Sequence, residues 1–495
     1  MRKLTKLLKT IDDNILTILL TAFVFIIPLY PKLPFHFVTY TYIAIRLEDF
    51  YVAFIAAVFV IQLLRKKASL HPVFTKPIVL FWGAVFLAVA SGIFITKTLP
   101  YHNLALLHAA RRVEYMIVFF IAANAIRSRK HFNWLLGSLI VSFAFVCFYG
   151  IGQRFFNLPA VSTMNPEFAK GHILFLTPEA RISSTFGGHY DLAAFLVLTL
   201  PIIFGTFLAT KKKVLLHFSL YAIFVIGVFI LMLTASRSSF LAYIVSTPLF
   251  LLYVRKYRHF AIVLAFSLAL VYSQKELTQR LLKTFQIKQI LVNEQTGQVV
   301  VSQRISSKEL PAGTSYIKIN PQGKQTPETA AIKAQSINEA IKEATKSGLG
   351  NVPGATNSAN YKEVSAVATD ISFATRLQVE WPRAINALLR NPLLGTGPSS
   401  ITESTDNDYL RWLGEFGLLG FGLFMFIIYS MGNYVRLGLK KLEDNEQYIF
   451  KALLFGIGGL LINAGYIDVF EASKVAYIFW YTMGIFIGRI DTARK

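Results

Sequence analysis

The chain holds a single cysteine, Cys147, in 495 residues. No intramolecular disulfide can form, and a cysteine metal centre is excluded. Histidine offers no substitute. His102 and His108 lack ligand spacing to any Cys, His or carboxylate cluster, so no metal is expected. Phosphate-loop signatures are missing too: Gly395 and Gly397, in PLLGTG, follow no strand and open no nucleotide-type loop, so neither a nucleotide nor another cofactor is expected. Negative charge is scarce, with 27 acidic against 50 basic residues and a formal net charge of +23. In a soluble protein that balance would suggest nucleic acid. No RNA- or DNA-binding motif is present, however, and no nucleic-acid partner is expected. There is no internal repeat, and the uneven loops argue against the inverted-repeat plan of many secondary transporters.

What the chain has in quantity is apolar sequence: 54% of it is hydrophobic and only 16% charged. Apolar runs fall near 14–33, 49–64, 77–96, 112–127, 133–152, 190–209, 214–234, 238–254, 260–274, 409–431, 448–467 and 474–489. A bilayer core takes about 20 apolar residues per helical span. Lipid cannot satisfy a bare backbone, so such runs must be helices. The expected fold is an all-α integral membrane protein of about 12 transmembrane helices with one large external loop domain. The first run is basic and then apolar, like a signal peptide. It lacks a small-residue cleavage site and ends in PLYPKLP, which reads as a retained signal-anchor.

Charge sets the orientation. With the N-terminus inside, the short cytoplasmic segments hold 23 basic residues, among them Arg65, Lys66, Lys67, Arg127, Arg129, Lys130, Arg255, Lys256 and Arg258. The opposite short segments hold ten: Lys32, Arg46, Lys97, Arg111, Arg112, Arg154, Lys170, Arg181, Arg237 and Lys474. The positive-inside rule then puts both termini in the cytoplasm. Most of the net charge is topology plus attraction to anionic membrane lipid.

Three regions follow. Residues 1–274 form a membrane domain of spans one to nine, interrupted by a short external segment at 153–189. Residues 275–407 form the large external loop domain, and 408–495 a membrane domain of spans ten to twelve. In the external domain, IKQILVNEQTGQVVVSQRI (287–305) has two β-rich runs around a QTGQ turn and reads as a hairpin. Pro327 opens a helical pattern with Glu/Lys pairs, and GLGNVPGATNSAN (348–360) reads as loop. Leu377, Trp381, Ala384, Ile385 and Leu388 recur at helical spacing, on a helix expected at the membrane surface. Pro382 is tolerable there only at a kink or in a first turn.

Polar residues at membrane depth are costly and are functional candidates by default. Here they gather towards the outer side: Arg181, His189 and Asp191; Arg237; Arg376 and Arg383; Glu403, Asp406, Asn407, Asp408, Arg411 and Glu415. Guanidinium binds phosphate oxygens bidentately and keeps its charge. A lipid-linked pyrophosphate would bring such oxygens to this depth. Each residue also has a plainer reading. A lone outer-face arginine snorkels to headgroups, and Arg111 and Arg112 can anchor the fourth span and pair with Glu114. Charges clustered at one face favour an enzyme over a transporter or channel for an anion or lipid, which would place them near the midplane.

Four segments in order, RISSTFGGHYDLAAFL (181–196), LTASRSSFLAYIV (233–245), RLQVEWPRAINALLRNPLLGTGPSS (376–400) and TDNDYLRWLGEFGLLGFGLF (405–424), resemble the O-antigen ligase and O-antigen polymerase superfamily of bacterial envelope proteins. The resemblance covers about 181–430. It implies a multi-pass enzyme of the bacterial cytoplasmic membrane, its site on the external face, acting without metal or nucleotide sugar. Such an enzyme moves a glycan from undecaprenyl pyrophosphate to an acceptor hydroxyl, with inversion at the anomeric carbon. The acceptor is a glycan, lipid or protein; in the polymerase only the acceptor differs. Carried over residue by residue, Arg181, Arg237 and Arg376 would hold the pyrophosphate. Asn407 would lie on the acceptor side, with Glu403 nearby. Glu415 would be a catalytic carboxylate. Ligases place a catalytic His just before that Asn, where this chain has Asp406. A carboxylate can serve as base if suitably tuned. His189 could take that part only if the fold brings it close. The plainer role for Asp406 is to cap the helix that starts near Asp408.

Overall fold

A computed structural model describes residues 2–38, 44–163, 168–177, 180–210, 213–273, 285–293, 299–300, 318–319, 361–369, 375–401 and 405–494. The chain divides into two compact units. The first is Met1–Leu277 with Arg383–Lys495; the second is Thr278–Pro382.

The first unit is a helical bundle. Its helices are α1 (Arg2–Leu29), α2 (Leu47–Leu64), α3 (Thr75–Ala90, prolonged by a π-turn Ser91–Ile95), α4 (His102–Ala125), α5 (Arg129–Phe155), α6 (His189–Ala209), α7 (Val214–Leu233), α8 (Arg237–Tyr253) and α9 (Tyr257–Ser273). After the second unit come α10 (Trp381–Arg390), α11 (Asp408–Gly438), α12 (Asp444–Ala464) and α13 (Ser473–Arg494). Among the described residues, eight of these helices are long and apolar enough to cross a membrane: α1, α2, α3, α5, α6, α7, α11 and α12. Four apolar runs of the sequence fall on helices outside that set. Helices α8 and α9 are 17 residues long, α4 carries Arg111, Arg112 and Glu114, and α13 is rich in aromatic residues.

Burial ranks the helices. In α6, 94% of the apolar stretch is enclosed by protein; in α2 the share is 28% and in α7 33%. So α6 is the central post, while α2 and α7 turn most of their apolar surface outward. Close packing in lipid relies on small residues, because hydrophobicity does not drive apolar helices together there. Gly456 lets α12 approach α6, since a Cβ would stand 2.6 Å from the Leu198 carbonyl oxygen. Gly484 does the same between α13 and α4, where the obstacle is the Phe119 carbonyl at 2.6 Å. Two short hairpins decorate the bundle, β1 (Pro34–Phe37) with β2 (Ala44–Arg46) and β3 (Ala160–Val161) with β4 (Ile173–Leu174).

The described residues of the second unit hold short and long strands and, at its end, the π-helical turn Arg376–Glu380. Strands β5 (Phe285–Asn293), β6 (Val299–Val300), β7 (Lys318–Ile319) and β8 (Tyr361–Thr369) form one antiparallel sheet in the order β6-β5-β8-β7. The hairpin read around QTGQ is present as Leu291↔Val300 and Val292↔Val299. The long partner β8 pairs with β5 along nine residues and was not foreseen; its VSAVA run is short and its apolar residues are small. The helix expected from Pro327 and the loop 348–360 lie outside the described residues. Pro382 is the second residue of α10, directly after the π-helical turn Arg376–Glu380, so it sits at a change of helix type.

Candidate functional site

A cavity of about 320 Å³ opens in the helical unit between the starts of α2, α6, α11 and α13 and the first half of α4. Five cations line it: Lys32, Arg46, Arg111, Arg112 and Arg411. Four carboxylates join them: Asp191, Asp406, Asp468 and Glu471. His108, Tyr115, Tyr190 and the backbone of Gly187 and Gly188 complete the wall. Residues at the N-terminal ends of α2, α6, α11 and α13 are among those lining the cavity, and helix N-termini carry partial positive charge.

One side of the cavity is a latch between two loops. The carboxylate of Asp468 accepts the backbone N–H groups of Thr405 (2.9 Å), Asp406 (3.2 Å) and Asn407 (3.0 Å), and the Arg411 guanidinium donates to it at 2.8 Å. Asp408 answers from the other loop, accepting from Val469 N (2.7 Å) and Phe470 N (3.0 Å). Thus the turn that carries Asp406 is held at both ends. Asp406 itself has φ +50°, a left-handed conformation that Asp tolerates better than most residues. The helix cap falls one residue later than the plainer reading had it. Asn407 is the N-cap of α11: its side-chain oxygen accepts from Leu410 N at 3.0 Å, and its amide donates to the Gly465 carbonyl at 3.0 Å. Asp406 is left to face the cavity.

Behind that wall sit the arginines. Arg112 hydrogen-bonds Glu471 and lies 3.8 Å from Glu415. Arg411 lies 3.6 Å from the same Glu415, which is buried at 1% exposure and accepts from Ser399 N at 3.1 Å. The pairing of Arg111 and Arg112 with Glu114 does not occur. Glu114 accepts from the Tyr477 hydroxyl at 2.5 Å, and Arg111 is 3.6 Å from Asp49. Consecutive residues on a helix diverge by about 100°, so the two arginines reach different partners.

Glu415 is placed by a break in α11. Gly417 has φ +62° and ψ −171°, so the helix ladder stops there. The segment Pro392–Gly397 takes up the released groups. Thr396 N donates to Gly414 O and Gly397 N to Glu415 O, both at 2.9 Å. In return Leu418 N reaches Pro392 O at 2.8 Å and Leu419 N reaches Leu393 O at 3.1 Å. These four bonds give groups at the break protein partners, which membrane depth favours. A Cβ at Gly417 would stand 2.3 Å from Leu393 O, and one at Gly395 would stand 2.4 Å from Glu415 O. The two glycine motifs of the sequence are halves of one joint.

The opposite side of the cavity is a buried polar chain. Lys32 Nζ donates to Ser473 Oγ at 2.6 Å, and that hydroxyl donates to Glu48 at 3.1 Å. Lys474 donates to the carbonyls of Pro28 (3.1 Å), Tyr30 (2.6 Å) and Thr185 (2.7 Å). Burial lowers the pKa of the Lys32 ammonium below its ordinary value, with the Glu48 charge opposing. Sequence reasoning missed Lys32, Arg46, Asp468 and Glu471 as site residues. All were visible as charges beside a span, yet their loops are far apart in the chain.

The remaining expected residues are placed as follows. Arg181 Nη1 stands 2.6 Å from His189 Nε2. Arginine can only donate, so that nitrogen accepts and the imidazole proton sits on Nδ1. His189 opens α6 beside the cavity residues Gly188 and Tyr190 but does not line the cavity itself. Arg237 is the first residue of α8, after the three-residue turn Thr234–Ser236; that turn lies beside the Arg181 segment, through Ile182 N to Leu233 O at 3.4 Å. Arg376 opens a π-helical turn, Arg376–Glu380, in the second unit. Glu403 lies outside the described residues.

Residues 222–425 match the family model described as O-antigen ligase. The resemblance to the O-antigen ligase and polymerase superfamily is thereby shown for this part of the chain. Three of the four motif segments lie within the match; the Arg181 segment precedes it. No curated protein matches the chain.

Proposed function

We propose that this membrane protein transfers an oligosaccharide from undecaprenyl pyrophosphate to an acceptor hydroxyl on the external face of the bacterial cytoplasmic membrane. The chain crosses that membrane 12 times with both termini inside, and residues 275–407 are external. The observation that carries the reading is the cationic cavity, which holds the Asp406 turn in a chain whose matching segment is of the O-antigen ligase family.

In this reading Asp406 takes the proton of the acceptor hydroxyl as its oxygen attacks the anomeric carbon. The bond from that carbon to the pyrophosphate oxygen breaks, and undecaprenyl pyrophosphate leaves with both electrons. Arg181 and Arg237, joined by Arg376 on the strength of the resemblance, stabilise the charge that develops on the leaving group. Glu415 acts on Arg112 and Arg411 and sets where their guanidinium groups lie. Asn407 holds the acceptor-side turn as its cap. Catalysis needs no metal. A polymerase would use the same chemistry on a different acceptor.

The test is complementation. Cells lacking the gene should accumulate lipid-linked glycan and lose the glycan-bearing acceptor. The wild-type gene should restore both, whereas Arg237→Lys and Arg181→Lys, expressed at normal levels, should not, because lysine lacks the bidentate fork. Full complementation by both lysine variants, or no lipid-linked intermediate in the deletion, would refute the reading. A reporter fused at Gly350 checks the topology; a cytoplasmic signal there would overturn it.

A further inference from the structure

We propose that the Lys32–Arg46–Arg111 side of the cavity binds an acidic group of the acceptor glycan, a sugar carboxylate or phosphate, and so selects an anionic acceptor. This rests on the transferase reading above. The argument starts from Arg46. It precedes α2 at the end of the β1–β2 hairpin, and its backbone N–H is used by Asp49 Oδ2 at 2.8 Å. Its side chain lines the cavity and is only 4% exposed. Its Nε has no hydrogen-bond partner, and among the described residues no carboxylate lies within 4.0 Å of its guanidinium. Glu48, the nearest acid in sequence, accepts from Ser473; its charge and that of Asp49 act on Arg46 only from beyond ion-pair distance.

A buried arginine kept for structure is paired, because an unpaired one loses its hydration for nothing. The other cavity arginines obey that rule: Arg112 has Glu471, Arg411 has Asp468, and Arg111 has Asp49 and the Ala44 carbonyl. Arg46 alone among the four lacks such a partner among the described residues, and it stands beside a second cation, Lys32, on the same cavity. The missing partner is an oxyanion from outside the chain, which a guanidinium fork suits.

The base decides which substrate brings it. A general base must reach the hydroxyl it deprotonates. Asp406 lines this cavity, so the acceptor enters here. Neither Arg181 nor Arg237, the residues assigned to the donor, lines it. Asp191 lines the same cavity, within electrostatic reach of Lys32, Arg46 and Asp406 alike. At about 320 Å³ the space is near the lower end of the roughly 300–1,000 Å³ typical of small-molecule sites, room for a terminal sugar. A sugar with its acidic group on Arg46 would turn a hydroxyl towards Asp406.

The experiment uses the purified full chain in lipid nanodiscs, without donor. Glucuronate, glucose 1-phosphate, inorganic pyrophosphate, glucose and the methyl ester of glucuronate are titrated while tryptophan fluorescence and thermal unfolding are followed. Wild type should bind glucuronate or glucose 1-phosphate, and bind glucose and the neutral ester at least about tenfold more weakly, the loss expected for one charge-assisted hydrogen bond. Whichever acidic sugar binds names the acceptor group. Arg46→Gln should lower that affinity by a similar factor, and Arg46→Lys should fall between. Equal binding of neutral and acidic sugars overturns the proposal, as does undiminished acidic-sugar binding in Arg46→Gln. Preference for pyrophosphate over both acidic sugars, lost in Arg46→Gln, would make this the donor's site and also overturn it. The wild-type comparison needs no variant, so a misfolded Arg46→Gln leaves the test intact. Binding is read without turnover, so its failure is separate from failure of the transferase reading.

Discussion

The helical unit carries two sets of charged groups, and they are built differently. At helix ends away from the cavity, Asp12 of α1 meets Arg65 at 2.6 Å and also bonds Lys67 beyond the end of α2. Arg129 at the start of α5 bonds Glu443, and Arg489 of α13 meets Glu446 at 2.8 Å. Most of these partners are solvent-accessible, and each cation has its acid. Around the cavity the charges are buried and shared. Arg112 and Arg411 divide Glu415, Glu471 and Asp468 between them, and Arg46 has no acid partner among the described residues. Surface pairs of the first kind are cheap to make and cheap to lose. Buried pairs of the second kind cost more desolvation than they return, and apolar residues would pack as well or better. Charges kept where folding does not need them are what make the cavity the candidate site.

The difference predicts where substitution hurts. Removing one member of a buried pair leaves the other uncompensated, at about 3–5 kcal/mol. Arg112→Met should therefore be the most severe change. It strands Glu471 and leaves Glu415 with Arg411 alone, and should lower the melting temperature in detergent sharply while abolishing glycan transfer. A stable, active Arg112→Met protein would mean that the cavity charges are no more demanding than those at the far helix ends.

Asp406→Asn separates chemistry from folding within the cavity itself. Asparagine tolerates the left-handed backbone of this position, and the Asp468 clasp uses backbone N–H groups that remain. Stability should hold. Transfer should fall by roughly 10²–10⁴-fold, the usual contribution of a general base. The measurement is turnover of lipid-linked glycan by protein of unchanged melting temperature. Full activity would remove Asp406 from the base role and turn attention to Asp191, the cavity carboxylate contributed by α6.

Much of this architecture was open to a reader of the chain. Apolar runs mark helices because lipid allows nothing else, and all the charged residues of the Asp406–Glu415 stretch were flagged by their cost at membrane depth. The hairpin around QTGQ followed from local rules, and Pro382 does fall at an irregularity, the junction of a π turn with α10. What escaped reading is what depends on three dimensions. Arg46 and Asp468 sit in loops on opposite halves of the chain, and only the packing of α4 against α13 brings their walls together. The cap fell on Asn407 rather than Asp406 because backbone angles decide it, and both residues are good caps by composition. Gly395 and Gly417 belong to separate motifs in the chain; that the Pro392–Gly397 segment fills the break in α11 needed the crossing of the two segments. Arg111 and Arg112 looked like one anchor, yet neighbours on a helix face different ways.

The smallest effect should come from Arg65→Gln. Arg65 grips Asp12 with two bonds, at 2.6 and 2.7 Å, and its side chain is 46% exposed. Lys67 also bonds Asp12 and lies 3.0 Å from Asp13, so the acid keeps a cation when the guanidinium goes. Water can solvate whatever the substitution leaves, which a cavity wall cannot offer. The bond should therefore contribute little, and less at high salt. Transfer activity and melting temperature should stay close to wild type. Insertion orientation should also hold, because Lys66 and Lys67 remain in the same short segment. If Arg65→Gln lowered transfer as far as Asp406→Asn does, the two sets of charges would be one coupled system, and the distinction between them would fail.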